Sequence, residues 1–211
     1  MAISVDTVLS RIATDLSETS SDFLSGAWTR TEMIGYLNYA ERDFLIQTGS
    51  MKYDVSVVLA PGAGILIDRP ANTMDIDRVS LNGKRVLRQS SMNLELEDRN
   101  WRVNSTGYPS YWHEDNIAIT KIELNKIPLA GGTLRVIADY LPNAYATVFD
   151  SLHLRDCWEP YLRWKVLALA LAKDCEDQDI GRSNYANQRY MVGVQLAQRL
   201  VKGVAENGLR G

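Results

Sequence analysis

Histidine is almost missing from this sequence: His113 and His153 are the only two in 211 residues. Imidazole is the commonest metal ligand and the usual general base near neutral pH, so a chain with two of them can build few such sites. Cysteine is as scarce, with Cys157 and Cys175 alone. On one continuous helix their 18-residue separation sets the Cα atoms roughly 27 Å apart. A disulfide needs about 7 Å or less, so the spacing argues against an intrachain bridge and predicts two small buried thiols in a reducing compartment.

A basic excess is missing too. Lys and Arg number 23 against 26 Asp and Glu, giving a net charge of −3. Proteins that grip a nucleic-acid backbone normally carry the opposite balance. The longest apolar run, VLALALA from Val166 to Ala172, is too short to cross a bilayer. The first residues, MAISVDTVLSRIATDL, lack the basic and continuously apolar regions of a secretion signal. The expectation is a soluble protein, cytosolic at synthesis, with no membrane partner. G-x-S-x-G, Walker A and G-x-G-x-x-G motifs are all absent, and with them the familiar nucleophile elbow and phosphate cradles.

What is present is an ordinary globular composition, 45% hydrophobic and 23% charged, in a chain long enough for one large or two small domains. Val5, Leu9, Ile12 and Leu16 share one face of a helix. Thr29 and Glu32 stand at capping-box spacing before a second helix that runs through Ile34, Leu37, Glu41 and Phe44, with Gly49 as its stop. The period then changes to two. Tyr53, Val55, Val57 and Leu59 alternate as a strand, and Asn82-Gly83 between two apolar runs predicts a hairpin with a type I′ turn. Ser90 or Ser91 caps a short helix, and Pro128, Gly131-Gly132 and Pro142 punctuate the last of six or seven short strands.

From Asp150 the helical period returns. LRDCWEPYLRWKVLALALAKDCE reads as a helix buried nearly all round, with Pro160 in its first turn. A last helix, roughly Asn184 to Lys202, places Tyr190, Val194, Ala197 and Val201 on one face. The order helices, strands, helices predicts an α+β fold: a helical bundle formed by the N- and C-terminal helices (residues 1–50 and 148–203), an inserted, mostly antiparallel β-domain (53–145) and a flexible C-terminal tail (204–211).

TGYPSYWHEDNIAIT, residues 106–120, is the stretch that most invites chemistry, because His113, Glu114 and Asp115 are consecutive beside Tyr111 and Trp112. Neighbours along a strand point to opposite faces, so His113 and Glu114 should not converge on one ion. The polar tip of a hairpin is the expected use, with Glu114-Asp115-Asn116 as the connection. DCEDQDIG, Asp174 to Gly181, lacks the glycine and glutamate positions of a calcium loop. Cys157 and His153 have the residue types of a Cys–His pair, four positions apart on what reads as a buried helix end, where an inert thiol is expected. No catalytic, cofactor or metal residue is assigned.

The layout as a whole resembles the head–tail connector adaptors of tailed bacteriophages, of the tubular type that docks under the portal. The likeness runs through MIGYLNYAERDFL, DIDRVSLNGKRVL, LELEDRNW, TGYPSYW and IAITKIELNKIPLAGGTLRVIADYLP to the helical pair after LHLRD. Its most telling piece is the succession Trp101, Gly107-Tyr108-Pro109, Tyr111-Trp112, Pro128 and LRVIADYLP. A second proline frequent near Pro128 is replaced here by LAGG. The resemblance implies a structural virion protein at the head–tail interface, not an enzyme, needing no cofactor. Copies, commonly twelve, would form a ring between the portal and the tail tube, nozzle or tail-completion proteins. DNA would pass through its channel without specific binding. The resemblance also implies portal contact through the C-terminal helix and tail, for which Arg189, Arg199, Lys202 and Arg210 are the candidates. Two other readings remain open on these residues: a different phage tail-completion or ring component, and a small hydrolase using His113 and Glu114 or Asp115.

Overall fold

The computed structural model describes residues 3–17, 27–104, 106–114, 120–173 and 178–208. The chain divides into two compact units, Met1–Met51 with Leu141–Gly211, and Lys52–Tyr140.

The first unit is helical. Its elements are α1 (Val5–Asp15), α2 (Arg30–Thr48), α5 (Glu159–Ala172) and α6 (Ile180–Gly208), with a 3-10 turn at Asp156–Trp158 leading into α5. The Ser4 hydroxyl accepts from Thr7 N and starts α1, whose Val5, Val8, Leu9 and Ile12 are fully buried. The start of α2 is the expected capping box. The Thr29 side chain accepts from Glu32 N at 3.2 Å, and Thr29 N donates back to the Glu32 carboxylate at 2.8 Å. Each side chain thereby satisfies an amide that has no carbonyl partner within the helix. Gly49 ends α2 in the left-handed conformation at φ 57°.

Pro160 lies in the first turn of α5, where its missing N–H costs nothing. Only Pro160 and Ala172 of α5 are exposed. This helix packs along α6 and against α2 and α1, so its apolar character is used on nearly every side. Two long-range bonds tie the unit together: the Trp28 indole N–H donates to Ala170 O at 3.0 Å, and Ser183 Oγ to Ala168 O at 2.7 Å.

The second unit holds β1 (Lys52–Leu59), β2 (Leu66–Asp68), β3 (Thr73–Leu81), β4 (Lys84–Arg88), α3 (Ser91–Glu97), α4 (Trp101–Asn104), β5 (Tyr111–Glu114), β6 (Lys121–Leu124) and β7 (Gly132–Tyr140). Strand order is β1-β7-β3-β4-β5-β6-β2. The β3–β4 hairpin turns on Asn82 and Gly83 at φ 49° and 79°, the two positive values a type I′ turn requires. Ser90 caps α3 by accepting from Asn93 N. Both halves of the sheet close on one core that includes Ile76, Val79, Leu134 and Val136 from one side and Ile67, Trp112, Ile122 and Leu124 from the other.

The class is α+β, but the expected arrangement, a bundle of N- and C-terminal helices carrying a mostly antiparallel insert, is corrected. The sheet is mixed and curled. Strands β4 and β5 run parallel, with Leu87 beside Tyr111 and Arg88 beside Trp112. A parallel neighbour cannot follow through a tight turn; it needs a crossover of a dozen residues or more. Residues 89–110, with α3 and α4 in them, are that crossover. Reading each strand as leading to the next through a short turn misses such a connection. In the helical unit α1 leans chiefly on α5 and touches α2 only slightly, so the terminal helices do not stand as the simple bundle expected.

Two further expectations change. Cys157 is exposed, because it lies in the 3-10 turn ahead of α5 and not on the buried helix. The last helix runs to Gly208, past residue 204 where the tail was placed. Cys175, Asp115 and the remainder of the HEDNIAI connection lie outside the described residues.

Candidate functional site

The HED stretch separates as strand geometry requires. His113 and Glu114 are neighbours on β5 and face opposite sides of the sheet. His113 is buried directly opposite Glu123 of β6. Its Nε2 lies 2.8 Å from Glu123 Oε2, at ion-pair distance without the alignment of a hydrogen bond, while Nδ1 lies 2.8 Å from Glu114 O. Arg102 Nε donates to the other Glu123 oxygen at 3.0 Å, and the Trp101 ring meets His113 edge-on at 5.3 Å. The Glu114 carboxylate points elsewhere, 3.5 Å from Arg88 and 3.9 Å from Arg69.

His113 and Glu114 therefore do not share a substrate or an ion. The pair that does form, His113 with Glu123, is almost wholly buried, with both side chains about 5% exposed. A buried carboxylate held by an imidazole and a guanidinium is a way of keeping charge inside a sheet. Sequence reading missed Glu123 and Arg102. The available signal was a lone acid within the apolar strand KIEL, an expensive residue to bury without partners.

A second polar cluster, in the helical unit, surrounds Glu41. Its Oε2 faces His153 Nδ1 at 3.0 Å, and Oε1 accepts from Leu154 N at 3.2 Å. Tyr145 stacks on His153 at 4.8 Å, and its hydroxyl accepts from His153 N. Burial, with the Glu41 charge next, pushes the Tyr145 hydroxyl far above its ordinary range. His153 is thus engaged by Glu41 and makes no pair with Cys157. Among the described residues no three His, Cys, Asp or Glu side chains are grouped to hold a metal ion. No described helix is long and apolar enough to cross a membrane.

The most extended feature is a surface. Helix α6 buries Ala186, Tyr190, Val194 and Ala197, yet Tyr185, Val192, Leu196 and Leu200 are 43–55% exposed. Their spacings of seven, four and four residues put them on one stripe beside the buried face. The edge of Tyr185 meets Trp164 of α5 at 5.9 Å, and Arg189 lies over the same indole at 6.0 Å. Four large apolar side chains along one stripe, the last three on successive turns, are more than the scattered singles of a normal surface. The sequence contained the signal, since α6 carries two apolar arcs where one suffices for a core. Of the portal-contact candidates, Arg189 sits on this stripe and Arg199, seven residues after Val192, is exposed at its margin. Lys202 belongs to α6 by its backbone, and Arg210 lies outside the described residues.

In this layout the buried polar pairs are occupied in packing, and a long apolar stripe suited to binding is left outside. Comparison with protein families agrees: residues 3–206 match the SU10 adaptor protein model. The chain belongs to the SU10 adaptor family. Membership makes it a structural phage protein, an adaptor of the virion, and agrees with the resemblance to head–tail adaptors. No curated protein matches the SU10 adaptor chain.

Proposed function

We propose that this SU10 adaptor chain assembles side by side into a closed ring, of about twelve copies, between the portal and the tail. The observation that carries this reading is the α6 stripe Tyr185–Val192–Leu196–Leu200 on a chain matched to an adaptor family over residues 3–206. An apolar face of that length is costly in water and gains free energy when a second surface covers it. A contact between two different patches of identical chains closes into a ring when the rotation suits.

In this reading the two units work as separate domains. The helical one supplies the contacts between copies. The C-terminal helix α6 and the tail, with Arg189, Arg199, Lys202 and Arg210, reach the portal. The sheet unit meets the tail tube, nozzle or tail-completion proteins. The net charge of −3 suits a channel through which DNA slides without being held.

Imaging of assembled particles tests the reading. A collar of this chain directly below the portal is the expected result. Its absence from the particle, or a bore lined with Lys and Arg, would reject the placement or the sliding channel respectively.

A further inference from the structure

Phe149 is 88% exposed, more than any other large apolar side chain among the described residues. Its backbone is nevertheless pinned. Val148 O accepts from Asp6 N at 3.0 Å and Asp150 O from Val5 N at 2.8 Å. The Asp150 carboxylate accepts from both Ala146 N and Thr147 N at 2.8 Å. The amides of Thr147 and Ala146 hold the Asp150 carboxyl below its usual range, so the residue after Phe149 stays charged. An aromatic side chain held out from a fixed turn has little freedom left to lose on docking, which is the property of an interface anchor.

The same unit carries a cleft of about 120 Å³ whose apolar wall is Tyr39, Leu141, Pro142 and Ala144 and whose polar lining is Asn38, Glu41, Arg42 and Asn143. An apolar cavity of roughly 150 Å³ admits benzene, so this opening is of the scale of one aromatic ring. Arg42 at its rim is exposed and has no hydrogen-bond or ion-pair partner among the described residues. The protruding residue is thus followed in the chain by an anion, and the cleft carries in Arg42 an exposed cation able to meet both a carboxylate and a ring face, while the Glu41 carboxylate beside it is buried and engaged by Leu154 N and His153.

We infer that Phe149 of one copy seats in the Tyr39–Arg42–Pro142 cleft of the next, with Asp150 facing Arg42. Each copy offers its knob to one neighbour and its cleft to the other, which makes the proposed contact head-to-tail and lets it propagate from copy to copy. The inference rests on the ring reading and gives that ring its direction.

Cross-linking tests it. In a background with Cys157→Ser and Cys175→Ser, one protein carries Ser151→Cys beside the knob and another Ala144→Cys in the cleft. Phe149 remains in both. A short bismaleimide should join the two proteins when mixed and should join neither to itself. Phe149→Ser in the Ser151→Cys protein should remove the mixed cross-link, and it should weaken self-association roughly tenfold or more without changing thermal stability. A ring that forms without the mixed cross-link, or Ser151→Cys chains that link to one another, overturns the contact while leaving the ring. A native chain that forms no ring, free or in the particle, removes the ring reading and this contact with it.

Discussion

Gly193 of α6 lies against the ring of Tyr161 on α5: a Cβ at Gly193 would stand 2.2 Å from Tyr161 Cγ and 2.6 Å from its Cβ. The two helices approach this closely because one of them has no side chain there. Replacing glycine in a helix normally gains up to about 1 kcal/mol of propensity. Here overpacking, which costs about 1–3 kcal/mol, should outweigh it, since the crowded atoms include the base of Tyr161 and not only its tip. Gly193→Ala should lower the denaturant midpoint, and Tyr161→Ala in the same chain should restore part of the loss. A midpoint that rises with Gly193→Ala alone would show that the contact is looser than described.

Glu41 should be a stability residue. It is 3% exposed and accepts from Leu154 N while facing His153. Glu41→Ala leaves that amide and imidazole without their acceptor, at a cost of about 2–3 kcal/mol in chemical denaturation. Glu41→Gln keeps one acceptor oxygen and should lose less. Equal losses for the two variants would point to packing as the cause.

Stability should fall in acid through Glu32. Hydrogen bonds from Lys173, and then from Thr29, hold its carboxyl below the ordinary range. A carboxyl depressed in the folded state binds its proton less readily there than in the unfolded chain. Its stabilisation is therefore complete above about pH 5 and is lost as pH falls through the folded value. The difference in melting temperature between the native chain and Glu32→Gln should be largest near neutrality and shrink below about pH 4. A difference independent of pH would sink this assignment.

His113 should matter to the stability of the sheet. In a double-mutant cycle, His113→Ala and Glu123→Ala should show coupling of about 1 kcal/mol or more, as expected for contacting polar groups. Arg102 keeps Glu123 partnered after the first change, which limits the loss. Additive effects would mean that the 2.8 Å approach contributes no energy.

Leu196→Glu on the α6 stripe should leave the melting temperature of the isolated chain within about 1 °C, because an exposed position away from special features changes stability little. Self-association measured by sedimentation should weaken by at least tenfold. If the oligomer is unaffected, the stripe faces something other than a sister chain.

Local chemistry was legible in the sequence wherever the information lies within a few residues. The Thr29–Glu32 box, the Gly49 stop, the Asn82-Gly83 turn, the Ser90 cap and Pro160 at a helix start are of this kind. Each is set by which backbone angles or orphan amides a neighbouring side chain can satisfy. The separation of His113 from Glu114 was equally legible, because strand alternation alone imposes it. Exposure of Cys157 was not, since helical period could not tell the turn before α5 from the helix itself.

The sequence by itself determined the alternation of helical and extended segments and the ends of many of them, because period and capping act over three or four residues. Only the tertiary structure decided that β4 pairs parallel with β5 and that His113 meets Glu123. It also decided that one apolar arc of α6 is buried while the other is left open. Those outcomes depend on which distant surfaces meet, and hydrophobic period records that a face is apolar without recording what covers it.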